Sequence, residues 1–277
     1  MTTVELTTPS QVHSGGPISW WDPVGECTLT IAEPGAAPEL FAEYHAGAVA
    51  SYAKFGVGDA LDGDTERCAD DTALFWAMTD MDGIVIGGVR AKGPLRSPEE
   101  SHAVVEWDGM PGELAVRAMI ADRIPFGVLE MKAAWLSTKG TRNANRAKVI
   151  ARSGFHAMEL LDIDFCMATS AAHILEQWRS SGGVVAPIPA TPYPDERYQT
   201  KMMWWDRGTF AEHGERAQVE SINLEMAQVQ RRRRLAIDHG RTLCEPAART
   251  LSPRVRSTMS PRRTRIAVSV PDVPERV

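Results

Sequence analysis

No run of apolar residues approaches the roughly 18 needed to cross a bilayer, so no membrane span is expected. The first residues, MTTVELTTPSQVHSGG, lack a basic stretch followed by an apolar one and do not read as a secretory signal. Cysteine is scarce: Cys27, Cys68, Cys166 and Cys244 are scattered, with no C-x-x-C pair and no histidine at ligand spacing. That argues against a disulfide framework and a structural zinc site, and no metal is expected. Nothing repeats at a period of about 20 to 50 residues, which argues against a solenoid. The expected location is the cytoplasm.

What is present is ordinary in bulk and uneven in detail. The 277 residues are 43% hydrophobic and 24% charged, as in soluble globular proteins. The net charge of −6 divides sharply: residues 231–277 hold twelve Arg, two Asp, two Glu and no Lys, leaving −14 on the first 230. An acidic body with an arginine-rich tail is expected. We read four parts: a flexible arm over 1–24, one folded domain over 25–207, a C-terminal helix over 208–240, and a disordered Arg/Pro/Ser-rich tail over 241–277. The tail has no apolar periodicity with which to bury surface. Its arginines lack the interleaved aromatics of a single-strand binder, so nucleic acid is not the expected partner.

Within the domain, CTLTIAEPG is a short strand, and the spacing of Leu40, Phe41, Tyr44, Ala48 and Tyr52 predicts a helix over 37–55. ALFWAMTDMDGIVIGGVRAKGPL is two strands about an Asp-Gly turn. HAVVEWDG reads as a third strand or a strand end. GELAVRAMIADRI reads as a helix, FGVLEMKAAW as an alternating strand, and 147–161 as a helix with one apolar face. IDFCMATS is a strand, AAHILEQWRSS a helix, and GGVVAPI and RYQTKMMWWDR the last two strands. This order predicts an α/β fold with a single mixed β-sheet flanked by helices.

The order and three local sequences resemble the GNAT superfamily of N-acetyltransferases. They are FWAMTDMDGIVIGGVRAKGPL, EMKAAW in the place of the family's splayed central strand, and RNANRA in the place of its acyl-CoA loop. The long loops and ATSAAHILEQWRSSGG look more like the N-acyl amino acid synthase and acyl-homoserine-lactone synthase branch. The resemblance covers about 180 residues, by count along the sequence. It implies transfer of an acyl group from an acyl-CoA, or from an acyl carrier protein thioester, to a small-molecule amine.

The stretch WLSTKGTRNANRAKVIARSG can be read on physical grounds as well. It runs from a strand through a cationic turn into a helix, whose first-turn amides and dipole favour an anion. Lys139 and Arg142 would neutralise a pyrophosphate, Thr138 or Thr141 would cap, and Gly140 would let the backbone approach. Asn145 stands where the family has glycine, and Ala147 matches. The alternative is a capped turn with solvated cations.

For chemistry, the resemblance implies an oxyanion donor among the backbone amides around Met131 to Ala133. Glu130 is the candidate base and Glu106 the runner-up, either of which would need a raised pKa. The alternative for both is a strand carboxylate paired with a cation, such as Glu130 with Lys132. Trp178 stands where the family often has a tyrosine acid, and indole cannot supply that proton. His173 is a candidate substitute. The aromatic and methionine-rich segment 192–207 is expected to be core, with a channel wall as the alternative. The alternative functions are a non-catalytic binding or regulatory protein of this shape and a nucleic-acid-associated protein acting through its arginine-rich tail.

Overall fold

In the computed structural model, which describes residues 16–61, 65–138 and 145–243, the Asp-Gly hairpin forms as its chemistry requires. Strands β3 (Thr72–Thr79) and β4 (Val85–Lys92) pair antiparallel. Asp80 Oδ1 accepts from the amides of Asp82 and Ile84, and Gly83 supplies φ +79°. Ahead of them run β1 (Ile18–Asp22) and β2 (Cys27–Ala32), then helices α1 (Pro38–Lys54) and α2 (Thr65–Asp70). After them come α3 (His102–Glu106), α4 (Glu113–Ala121), β5 (Val128–Leu136), α5 (Asn145–Ala151), α6 (Ser153–Leu161) and β6 (Phe165–Ala171). The chain continues through α7 (Leu175–Arg179), β7 (Val184–Val185), β8 (Thr191–Pro192), β9 (Gln199–Asp206), α8 (Phe210–His213) and α9 (Arg216–Leu243).

The described strands form one mixed sheet in the order β1-β2-β3-β4-β5-β6-β9-β7, with β8 beside β9. Only β5 and β6 pair parallel; the other pairs are antiparallel. Both faces are covered, and the central strands are largely apolar, with Arg90, Glu130 and Lys132 as buried charged exceptions. Leu29, Trp76, Met78 and Leu129 pack with Phe155 and Met158 of α6 and Ile222 and Val229 of α9. Phe75 and Ala77 turn the other way, onto Phe41, Tyr44 and Ala48 of α1. A third cluster joins Val104, Trp107, Val116 and Ile120 to Val128, Met202 and Trp204.

Gly47, which interrupts the periodicity of α1, has a steric reason. A Cβ there would lie 2.0 Å from the Trp135 ring, whose Nε1 donates to the Tyr44 carbonyl at 3.1 Å. The helix accepts glycine's weaker propensity in exchange for close contact with β5.

Four expectations are corrected. Ile18–Asp22, assigned to a flexible arm, pairs along its length with β2, and Trp20 meets His156 edge-on at 5.2 Å. HAVVE is a helical turn, because a neighbouring serine and a glutamate distant in sequence satisfy its first amides. The Ser101 hydroxyl accepts from Ala103 N, and the Glu130 carboxylate accepts from His102 N and Ala103 N. The single helix expected over 147–161 breaks at Arg152 into α5 and α6. The C-terminal helix runs past residue 240 to Leu243, and its apolar face docks on α6. The segment 244–277, expected as a disordered tail, lies outside the described residues.

Arg152 explains the break. Its buried guanidinium donates to Glu225 at 2.9 Å, to Gln218 at 3.0 Å and to Asp22. His156 Nε2 meets the same Glu225 oxygen, Oε2, at 2.9 Å, and Trp76 Nε1 donates to His156 Nδ1 at 3.3 Å. Burial raises the Glu225 pKa, but His156 and Arg152 outweigh it and hold the carboxyl below its ordinary value. This network ties β1, α6 and α9 together behind the sheet.

Candidate active site

The pairing of β5 with β6 covers only Val128–Glu130 against Phe165–Met167. Beyond it each strand continues, β5 on β4 and β6 on β9, and the two part. A cleft of about 630 Å³ opens there, walled by Met131 to Leu136 on one side and Ala168 to Ala171 on the other. Its deeper wall is apolar, with Ile150, Ala151, Cys166, Trp178 and Trp205. Burial pushes the Cys166 thiol pKa up, so the group is neutral.

β5 bulges at the cleft. Lys132 pairs with Arg90 and Trp135 with Gly88, so Ala133 and Ala134 stand opposite Val89 alone, and Ala133 takes φ +52°. The Tyr44 hydroxyl donates to the Ala133 carbonyl at 3.0 Å and holds the bulge from α1. Met131 and Ala133, named from sequence, therefore lie on the wall of the opening.

The two candidate carboxylates part company. Glu130 is fully buried, and its oxygens are occupied by the α3 amides at 2.9 and 3.2 Å. It accepts from the first amides of α3 and is not among the residues lining the cleft. Glu106 does line it. Its Oε1 accepts from the Thr169 hydroxyl at 2.8 Å, and its buried Oε2 has no hydrogen-bond partner. Burial pushes its pKa up to about 7, with Glu130 adding to the rise and Lys132, His102 and Thr169 drawing it down.

His173 lies in the cleft lining but is exposed, its ring 6.3 Å from that of Tyr198. Thr138 and Ala147 line the cleft too, and Thr138 accepts from Lys54 Nζ at 2.8 Å. Asn145 begins α5. Lys139, Gly140, Thr141 and Arg142 lie outside the described residues. Sequence reading missed His102, whose Nε2 lies 2.7 Å from the Tyr193 hydroxyl. Tyr193 and Tyr198 both line the cleft, so the segment 192–207 contributes to a wall as well as to the core. Only the aromatic richness of that segment signalled this, since its partner on α3 is 91 positions away.

No protein-family model matches the chain. It is 46% identical over 234 residues to a protein of Mycobacterium tuberculosis described only as uncharacterized, covering 83% of this chain and 89% of that one. The same figures hold for an uncharacterized protein of Mycobacterium bovis. The chain belongs to the same family as these proteins.

Solved structures of similar shape share little sequence with it. FeeM, an N-acyl amino acid synthase from uncultured soil microbes, is 10% identical, covering 67% of this chain and 95% of that one, with a TM-score of 0.46. For the AHL synthase LasI the figures are 12%, 66%, 91% and 0.48. These likenesses are of fold, and no activity follows from them. The described strands form an open mixed sheet in which β5 bulges and parts from β6. Among the described residues, no group of His, Cys, Asp and Glu is placed to hold a metal ion, and no helix is long and apolar enough to cross a membrane.

Proposed function

We propose that the chain is an N-acyltransferase that moves an acyl group from an acyl thioester to an amine in the cleft between β5 and β6. The observation that carries this reading is the opening of the sheet beside Glu106, a buried carboxyl with one unpartnered oxygen. Near pH 7 that group passes readily between its protonated and ionised forms, which is what a general base requires. Glu106 takes a proton from the amine as its nitrogen attacks the thioester carbon. Backbone amides around Met131 to Ala133 face the developing oxyanion, and the C–S bond breaks to leave a thiolate.

The apolar inner wall suits an acyl chain. The donor is acyl-CoA or an acyl carrier protein thioester. Thr138 and Ala147 stand on the cleft at either side of the segment 139–144, which leaves Lys139, Gly140, Thr141 and Arg142 as the residues to meet its phosphates. The acceptor is a small-molecule amine.

The test is thermal unfolding with CoA, acetyl-CoA and a long-chain acyl-CoA, followed by turnover with a panel of amines. A ligand at about 100 times its Kd stabilises by roughly 2.7 kcal/mol. Arg142→Ala is expected to remove the shift. Glu106→Gln is expected to lower kcat by about 100-fold or more, and wild-type kcat is expected to rise with pH through about 7. Absence of both stabilisation and turnover, with CoA and carrier-protein donors alike, would reject the proposal.

A further inference from the structure

Behind the cleft wall, His102 of α3 joins two lining residues, Glu106 and Tyr193. His102 Nε2 lies 2.7 Å from the Tyr193 hydroxyl, and the same nitrogen lies 3.9 Å from Glu106 Oε1. The His102 side chain is only 12% exposed. The two rings meet at 72° with centroids 5.6 Å apart, so Tyr193 reaches the imidazole edge with its hydroxyl.

This geometry is held from several directions. Glu130 accepts from the His102 amide. Trp107 Nε1 donates to the Pro189 carbonyl at 3.0 Å, and the Thr191 hydroxyl donates to the Glu106 carbonyl at 3.1 Å. The Thr200 hydroxyl donates to the Tyr193 carbonyl at 2.7 Å. The loop carrying Tyr193 is thereby tied both to α3 and to β9. The other groups facing Glu106 are Lys132 and Glu130 from β5 and Thr169 from β6.

We infer that Glu106, His102 and Tyr193 form a proton relay along this wall, in which Tyr193 gives the leaving thiolate a proton and His102 restores it from Glu106. The inference rests on the acyltransferase reading for its substrates. The steps balance. The amine proton goes to the Glu106 carboxylate as the C–N bond forms and the C–S bond breaks. The thiolate takes the phenol proton of Tyr193. His102 Nε2 then accepts the proton of Glu106 and passes it to the phenolate, leaving Glu106 ionised and Tyr193 neutral for the next turnover. Closing the His102–Glu106 gap to hydrogen-bond length takes a side-chain movement of about 1 Å. Trp178 lines the same cleft but its indole has no such proton to give.

Two measurements test this on the full chain. Histidine-selective NMR follows the His102 ring signal, assigned with His102→Gln, between about pH 5 and 9 in wild type, Tyr193→Phe and Glu106→Gln. A relay requires both substitutions to move the His102 titration curve, and a curve that neither moves overturns it. Steady-state kinetics use a long-chain acyl-CoA and an amine accepted by the wild type. Tyr193→Phe keeps the ring and is expected to lower kcat by about 100-fold or more with KM for the donor little changed. Wild-type kcat in that variant overturns the relay while leaving the acyltransferase standing. Should the wild type acylate no amine, the acyltransferase reading falls and the relay of protons to a thiolate falls with it. The NMR arm would still show whether the three groups are coupled.

Discussion

Two regions of this molecule bury ionisable side chains, and they treat them in opposite ways. Behind the sheet, Arg152 donates to Asp22, Glu225 and Gln218, while His156 completes the Glu225 carboxylate. In the cleft, Glu106 is as deeply buried but keeps one oxygen without a partner. Isolating a charge or a polar atom from water costs free energy unless partners replace the lost hydration. A saturated network serves to join elements. An unsaturated carboxyl is left with capacity for a ligand, and its raised pKa records the cost of that state.

The comparison is broken most severely at Arg152. Arg152→Met strands Asp22 and Glu225 without their cation, and the expected loss is about 3 to 5 kcal/mol. That corresponds to roughly 10 °C or more in Tm by thermal unfolding. A loss below about 1 kcal/mol would mean that the cluster does not bear on stability.

A smaller effect is expected at Glu106, with the opposite sense. The folded chain keeps this proton up to about pH 7, whereas the unfolded chain releases it at the ordinary carboxylate value. The associated stability is complete below that ordinary value and is lost as pH rises through about 7. At about 1.4 kcal/mol per pKa unit, the change across the window is on the order of 3 kcal/mol. Glu106→Gln is expected to flatten this part of the curve and to be the more stable protein at about pH 8 relative to wild type. Denaturant unfolding at several pH values measures it, and parallel curves for the two proteins would show that Glu106 does not titrate in this range.

The least effect is expected at Glu130. Glu130→Ala leaves the first amides of α3 short of an acceptor and should cost about 1 to 3 kcal/mol. Glu130→Gln keeps one acceptor oxygen and should cost less. Because this residue caps and does not line the cleft, Glu130→Gln should retain most of the activity that Glu106→Gln loses. Equal losses of kcat in the two variants would contradict that division of roles.

How much of this was legible in the sequence depended on how local the physics is. The β3–β4 hairpin rests on an Asp-Gly turn and period-two alternation, and both were readable. The splayed strand was read from EMKAAW, with Met131 and Ala133 on it. His102–Glu106 was not readable, because two valines in five residues suggest a strand and the acceptor that caps the helix is Glu130, 28 positions on. The different surroundings of the two glutamates were not readable for the same reason: the burial and hydrogen bonding that distinguish them come from β5, β6 and α3 together. Tyr193 was noticed only as one aromatic among several. Lys139 to Arg142 rest on the sequence argument alone.

One consequence concerns Cys166. Thiols and thioesters exchange acyl groups when the thiol is ionised, and a thiolate in this cleft would capture the donor's acyl group and block turnover after a single event. Burial holds Cys166 as the neutral thiol. On the proposed thioester chemistry the chain keeps a sulfur in the wall of its cleft, because the dryness that suits an acyl chain also protects the protein from acylating itself.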